Sequence, residues 1–96
     1  MFDLYFTDKA YETIDRLSNG SRNIINDLYE HLLRLEQNGI PEGGRPIPGL
    51  IDADGQPVRG YVIELGRFIL VVSCEGKRDL IVWGIQLRAG DDINSS

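Results

Sequence analysis

Three short apolar, β-rich segments follow one another between Tyr61 and Leu87, separated only by turns. They cover residues 61–65, 68–74 and 80–87, and a glycine stands in or beside the intervening turns. Side chains of this kind fit a pleated, half-buried surface, and gaps this short favour antiparallel hairpins. The pattern therefore predicts a three-stranded antiparallel sheet late in the chain.

The amino-terminal residues predict a short strand and then a helix. Apolar side chains at positions 2, 4 and 6 alternate with Asp3 and Tyr5, which is typical of a strand with one buried face. Thr7 can cap the following helix, and Asp8 places a negative charge in its first turn. Apolar residues then recur at helical spacing until Ser18-Asn19-Gly20 ends the element.

A second helix is predicted between Ser21, as its cap, and Gly39, as its stop. Its apolar stripe consists of five residues at helical spacing: Ile24, Ile25, Leu28, Leu32 and Leu35. Because only about three residues join the two helices, we expect them to form an antiparallel hairpin on the sheet. The predicted fold class is α+β.

Residues 40–57 contain all four prolines of the chain and predict a long Pro/Gly loop. Loops of this length in small domains are more often functional or mobile than shorter ones. Residues 89–96 are polar and predict a frayed tail. With 96 residues and no repeat, we expect one domain over 1–96.

Composition narrows the class of function. No apolar run is long enough to cross a bilayer, the start lacks the pattern of a signal peptide, and a single cysteine fits a reducing compartment. We therefore expect a cytoplasmic protein without membrane association. Fifteen acidic residues against ten basic ones give a net charge of −5, which opposes nucleic-acid binding overall.

The order of strand, two helices, long loop and three strands resembles the RelE/ParE superfamily of bacterial type II toxin–antitoxin toxins. Three segments carry the resemblance over nearly the whole chain. Residues 6–10 are similar to the start of the family's first helix, residues 45–50 to the segment before its sheet, and residues 65–68 to its central hairpin. The resemblance implies a RelE/ParE-like fold.

The resemblance also implies a function. Members of the family inhibit growth by acting on an essential target, either messenger RNA at the ribosome or DNA gyrase, and a cognate antitoxin holds them inactive. Ribonuclease members use Lys, Arg, His and Tyr side chains on the sheet, because a base must activate the ribose hydroxyl and cations must stabilise charge on phosphorus. A non-toxic binding module of the same fold is a further alternative.

Two positions depart from the ribonuclease pattern. Such members usually place an arginine directly after the aromatic residue of the central hairpin, where this chain has Ile69 after Phe68. Arg67 lies on the other side of that aromatic, outside the position that the pattern requires. Glu64 stands where a basic residue is often found. These departures favour a toxin that binds protein over a ribosome-dependent endoribonuclease with a rearranged catalytic set.

The remaining candidate site residues lie in or beside the sheet. Arg59, Arg67 and Arg88 are the candidates for a catalytic role, and Arg59, Tyr61 and Arg88 for contact with a partner. For Arg67 we favour a solvated residue that keeps a hairpin turn soluble, whereas for Arg59 and Arg88 a functional role and a solvated position are equally well supported.

The other reactive side chains do not predict a catalytic or metal site. His31, the only histidine, is predicted to lie at the solvent edge of a helix, with Asp27 nearby on the same surface. Cys74 precedes an acid, which disfavours a thiolate, and Trp83 lies among apolar residues, where burial in the core is the usual outcome. One Cys and one His match no metal-binding spacing, so neither metal nor cofactor is expected.

Overall fold

The computed structural model describes residues 1–20, 22–51 and 54–88. In chain order these form strand β1 (Asp3–Phe6), helices α1 (Asp8–Gly20) and α2 (Arg22–Asn38), and strands β2 (Arg45–Ile47), β3 (Gly60–Leu65), β4 (Phe68–Glu75) and β5 (Asp79–Leu87). The α+β class and the order of strand, helical pair and late sheet are confirmed. The predicted helix cap Ser21 and the predicted tail 89–96 lie outside the described residues.

The strand count corrects the sequence-based expectation. The sheet has five strands in the order β1-β5-β4-β3-β2, and β1 joins it parallel to β5 while the other neighbours are antiparallel. The fifth strand, β2, lies inside the segment that was predicted to be loop. It contains Pro46, which cannot donate a backbone hydrogen bond, and such a residue is tolerated because β2 is at an edge of the sheet.

The core lies between one face of the sheet and the two helices. Phe68, Leu70 and Val72 alternate along β4 and are fully buried, and the predicted α2 stripe is buried against them. Residues in register on neighbouring strands share a face, so the same alternation defines the opposite face of the sheet, which carries no helix. That opposite surface is called the open face below.

Both predicted helix boundaries at Thr7 and Gly39 are confirmed. The Thr7 hydroxyl oxygen accepts the backbone N–H of Ala10 at 3.2 Å, as a helix cap does. Gly39 has φ of 76°, and its N–H donates to the carbonyl of Leu35 at 2.8 Å. A left-handed glycine in this place ends α2.

No helix among residues 1–20, 22–51 and 54–88 is both long enough and apolar enough to span a membrane.

Candidate partner-binding groove

The open face carries few of the cations that phosphate chemistry needs. Its charged side chains on the described strands are one arginine and four carboxylates: Arg45 on β2, Glu64 on β3, Glu75 on β4, Asp79 on β5 and Asp3 on β1. Phosphate groups are bound by Lys, Arg or backbone N–H groups, and neighbouring carboxylates repel them. The charge pattern of the open face therefore favours a basic partner over RNA.

Arg67 lies on the helix side of the sheet rather than on the open face. Its Nε is 3.2 Å from Oδ2 of Asp27 in α2, and the other oxygen of that carboxylate is 3.7 Å from Nε2 of His31. The pair joins the β3–β4 turn to α2. Arg67 is thus occupied by a structural contact, and the expectation that it cannot replace an arginine at position 69 agrees with this placement.

Arg88 is hydrogen-bonded to the β3–β4 turn through its backbone and its side chain. Its N–H donates to the carbonyl of Arg67 at 2.8 Å, and Nη1 donates to the carbonyl of Gly66 at 3.3 Å. The guanidinium group remains exposed. Two of the three candidate catalytic arginines therefore lie at one turn, where they hold the hairpin end in place.

Arg59 and Tyr61 lie at the other end of β3. Arg59 is exposed, and its carbonyl accepts the N–H of Cys74 at 3.3 Å. Tyr61 is in register with Val72, so its side chain faces the helices, where it is half-buried against the core. Both residues border a cavity of about 360 Å³ beside β2. The structure therefore separates Arg59 and Tyr61 from Arg67 and Arg88.

Trp83 corrects the expectation of core burial. The pairing of β4 with β5 changes register between Val71, which faces Gly84, and Val72, which faces Val82, so Trp83 is the extra residue of a β-bulge. Its side chain is half-buried, and Nε1–H donates to the hydroxyl of Ser73 at 2.7 Å. Ser73 is an open-face residue that is fully buried. Trp83 thus lies over the open face instead of in the core.

His31 is more enclosed than a residue at the solvent edge. Its side chain is 16% exposed, and its ring meets Phe68 edge-on, with ring centroids 6.1 Å apart. The ring also covers Gly66, where an added Cβ would lie 2.6 Å from Nε2. His31 therefore packs the β3–β4 turn onto α2.

A concave apolar groove of about 750 Å³ lies between β1, α1 and α2. Three of its lining side chains are 51–57% exposed although they are large and apolar or aromatic: Tyr11, Tyr29 and Leu33. The ring of Tyr11 packs against Phe6 with centroids 5.4 Å apart, which holds one wall of the groove. Exposed aromatic residues clustered in a concavity mark sites of protein contact.

Sequence reasoning did not identify this groove. Tyr11 and Tyr29 lie outside the buried positions of α1 and α2, and this was the signal in the sequence. Their proximity to each other and to β1 depends on how the helical pair is placed on the sheet.

Within the described ranges, no group of three or more His, Cys, Asp or Glu side chains is arranged to hold a metal ion. The groove is the candidate site because it gathers exposed aromatic side chains in a concavity.

Comparison with known proteins gives structural neighbours and no sequence relatives. No protein-family model and no curated protein sequence matches the chain. Among solved structures, the YoeB dimer from Staphylococcus aureus superposes with a TM-score of 0.60 at 15% identity, over 91% of this chain and 97% of that one.

Two further neighbours superpose as well. The YoeB–YefM complex from the same organism gives a TM-score of 0.58 at 15% identity, over 92% of this chain and 98% of that one. The YoeB/ParE toxin from Agrobacterium tumefaciens gives 0.58 at 11% identity, over 91% and 99%. The chain therefore has the fold of these toxins along nearly its full length, and the fold implied by the sequence resemblance is confirmed.

Proposed function

We propose that this chain is the toxin of a type II toxin–antitoxin module, which acts on an essential target in the cytoplasm and is neutralised by a bound antitoxin. The observation that carries the proposal is the superposition on toxin structures over 91–92% of this chain, one of them a complex with the partner protein YefM. The segments quoted from the sequence resemble the same group of toxins.

The groove supports a protein as the neutralising partner. Its exposed side chains Tyr11, Tyr29 and Leu33 would lose water-accessible apolar surface when covered, and aromatic anchors of this kind dominate the affinity of many interfaces. Arg59 and Arg88, both exposed, remain candidates for further contacts with that partner.

We infer that the toxic action is exerted through protein contact, with DNA gyrase as a candidate target. The single arginine and four carboxylates on the described open face support this inference, because a ribonuclease needs cations where charge develops on phosphorus. The second candidate is a ribosome-dependent endoribonuclease acting on messenger RNA. The exposed guanidinium of Arg88 beside the β3–β4 turn is the observation that favours it.

The experiment is inducible expression in a bacterial host, alone and together with the gene that adjoins this one in its native genome. The proposal predicts growth arrest on induction, restored growth on co-expression, and co-purification of the two proteins. Altered supercoiling of plasmid DNA during the arrest would identify gyrase as the target. Unchanged growth with abundant soluble protein would overturn the toxin proposal and leave a binding module of the same fold.

The matched variants for this experiment are Arg88→Ala and Arg59→Ala, since both arginines are exposed and lie at opposite ends of β3. Arrest that survives both substitutions supports action through protein contact. Arrest with RNA cleavage that Arg88→Ala alone abolishes would establish the ribonuclease instead.

A further inference from the structure

The strand β1 has one edge that is not paired with another strand of the described chain. It is an end strand of the sheet, and it bonds β5 through the N–H of Asp3 to the carbonyl of Arg78 and through the N–H of Thr7 to the carbonyl of Val82. Backbone groups alternate in direction along a strand. The N–H and C=O groups of Leu4 and Phe6 therefore point away from β5, toward the free edge.

The free edge borders the apolar groove. A strand added along it would direct every second side chain to the helix side, where Tyr11, Tyr29 and Leu33 are exposed. The intervening side chains would lie on the open face, beside Asp3 and Tyr5. Main-chain hydrogen bonds and alternate side-chain pockets are the two components of recognition by strand addition.

The charges around this edge are acidic. Two of the residues that border the groove are charged, Asp3 and Glu36, and none of its lining residues is a lysine or an arginine. On the open face Asp3 is in register with Asp79, and Asp79 is in register with Glu75, so three carboxylates follow one another across β1, β5 and β4. Like charges at paired positions repel, and a cation beside Asp3 would reduce that repulsion.

Lys77 and Arg78 are the basic residues closest in sequence to this row. They occupy the turn between Glu75 and Asp79 and are exposed. None of the ion pairs found among the described residues joins either of them to the row. Of the three carboxylates only that of Asp3 lies on β1 itself, and it is exposed beside the free edge.

We propose that β1 accepts an extended segment of a partner protein as an additional strand, and that this segment alternates apolar side chains toward the groove with Lys or Arg toward the open face. The identification of this partner as the antitoxin rests on the proposed function. The chemistry of the segment follows from the edge, the groove and the charges alone.

Two other occupants fit these observations less well. A helix laid in the groove would leave the backbone groups of Leu4 and Phe6 without strand partners. A second copy of this chain paired through its own β1 would bring another Asp3 to an edge that is already acidic.

The test is calorimetric titration of the intact chain with short capped peptides. The probe alternates valine and lysine, and its matched control alternates valine and glutamate. We expect the lysine peptide to bind at least about tenfold more tightly, and its affinity to fall as salt is added. Equal affinity of the two peptides would overturn the proposed charge pattern.

Two N-methylated versions of the lysine peptide distinguish a strand from a helix. One is methylated on the amides of all its valines, the other on those of all its lysines. A strand presents only one set of amides to β1, so we expect one version to lose binding and the other to retain it. Loss in both, or retention in both, would overturn strand addition.

Substitutions in the chain locate the site. Leu33→Asp should weaken binding of the lysine peptide at least about tenfold if the apolar side chains enter the groove. Ile51→Asp is the matched control, because Ile51 is an exposed apolar residue that does not line the groove. Circular dichroism confirms that both variants are folded, and equal binding by the two would overturn the location.

Sedimentation of the chain without peptide tests the remaining occupant. We expect a monomer whose mass is unchanged by Leu33→Asp, and a dimer that this substitution dissociates would assign the edge to a second copy. Peptide binding is measured without reference to growth. A harmless protein that still binds the lysine peptide would refute the toxin function and retain the strand site.

Discussion

Thr7 and Trp83 are 76 positions apart in sequence and share a hydrogen bond: the Thr7 hydroxyl donates to the Trp83 carbonyl at 2.9 Å. The same hydroxyl oxygen accepts the N–H of Ala10 in the first turn of α1. A hydroxyl can donate one hydrogen bond and accept others. One side chain therefore caps α1 and fixes its start to the bulge in β5, which sets the position of the groove wall.

Thr7→Ala should lower the free energy of unfolding by about 1–2 kcal/mol, since both the cap and the bond to the bulge are lost. Thr13→Ala is the matched control. The Thr13 hydroxyl bonds only back to the carbonyl of Lys9 on the exposed side of α1, so its loss should change stability by about 0.5 kcal/mol or less. Urea denaturation measures the free energy of unfolding of both variants. Equal losses in the two variants would show that the hydrogen bonds of Thr7 add no more stability than the bond of Thr13.

Gly66→Ala and Gly76→Ala compare two glycines with almost the same backbone, φ of 59° and 63°. Both substitutions place a side chain in the left-handed region, which costs about 1–2 kcal/mol. Only at position 66 does the new Cβ meet another group, the His31 ring. We expect Gly66→Ala to cost at least about 1 kcal/mol more than Gly76→Ala, because the ring must move from its packed position.

The denaturant midpoints of Gly66→Ala and Gly76→Ala measure this difference in stability. In the double variant that also carries His31→Ala, the excess cost of Gly66→Ala should disappear. If that excess persists without the ring, its cause lies in the turn itself.

Trp83→Phe and Ser73→Ala form a double-mutant cycle on the bond between Trp83 and Ser73. Trp83→Phe leaves the buried Ser73 hydroxyl without its donor, which should cost about 1–3 kcal/mol. The double variant should be less destabilised than the sum of the single ones, with a coupling of about 1 kcal/mol. Additive effects would show that the bond does not contribute to stability in solution.

Sequence periodicity predicts the parts of this fold whose burial is regular. The alternation of Phe68, Leu70 and Val72 predicts β4, and the helical stripe that includes Leu28 and Leu32 predicts α2, because both patterns follow directly from backbone geometry. β2 was missed since its three residues contain a proline and lie in a segment with loop composition.

Tertiary features of the site could not be predicted in this way. The bulge at Trp83 shifts the alternation by one residue. The neighbouring Gly84 is a residue typical of bulges, but it does not predict to which face the tryptophan turns. The ion pair of Arg67 with Asp27 joins the β3–β4 turn to α2, about forty positions earlier in the chain. The groove likewise combines the backbone of β1 with Tyr11 of α1 and Tyr29 of α2, so its recognition requires the packed structure.

The groove and the open face support the proposal that this chain acts by protein contact and not by phosphate chemistry. Mapping the 5′ ends of cellular messenger RNA shortly after induction, with growth followed in parallel, tests this claim most directly. We predict growth arrest with a distribution of 5′ ends that matches uninduced cells. New 5′ ends within translated codons that disappear in Arg88→Ala would contradict it.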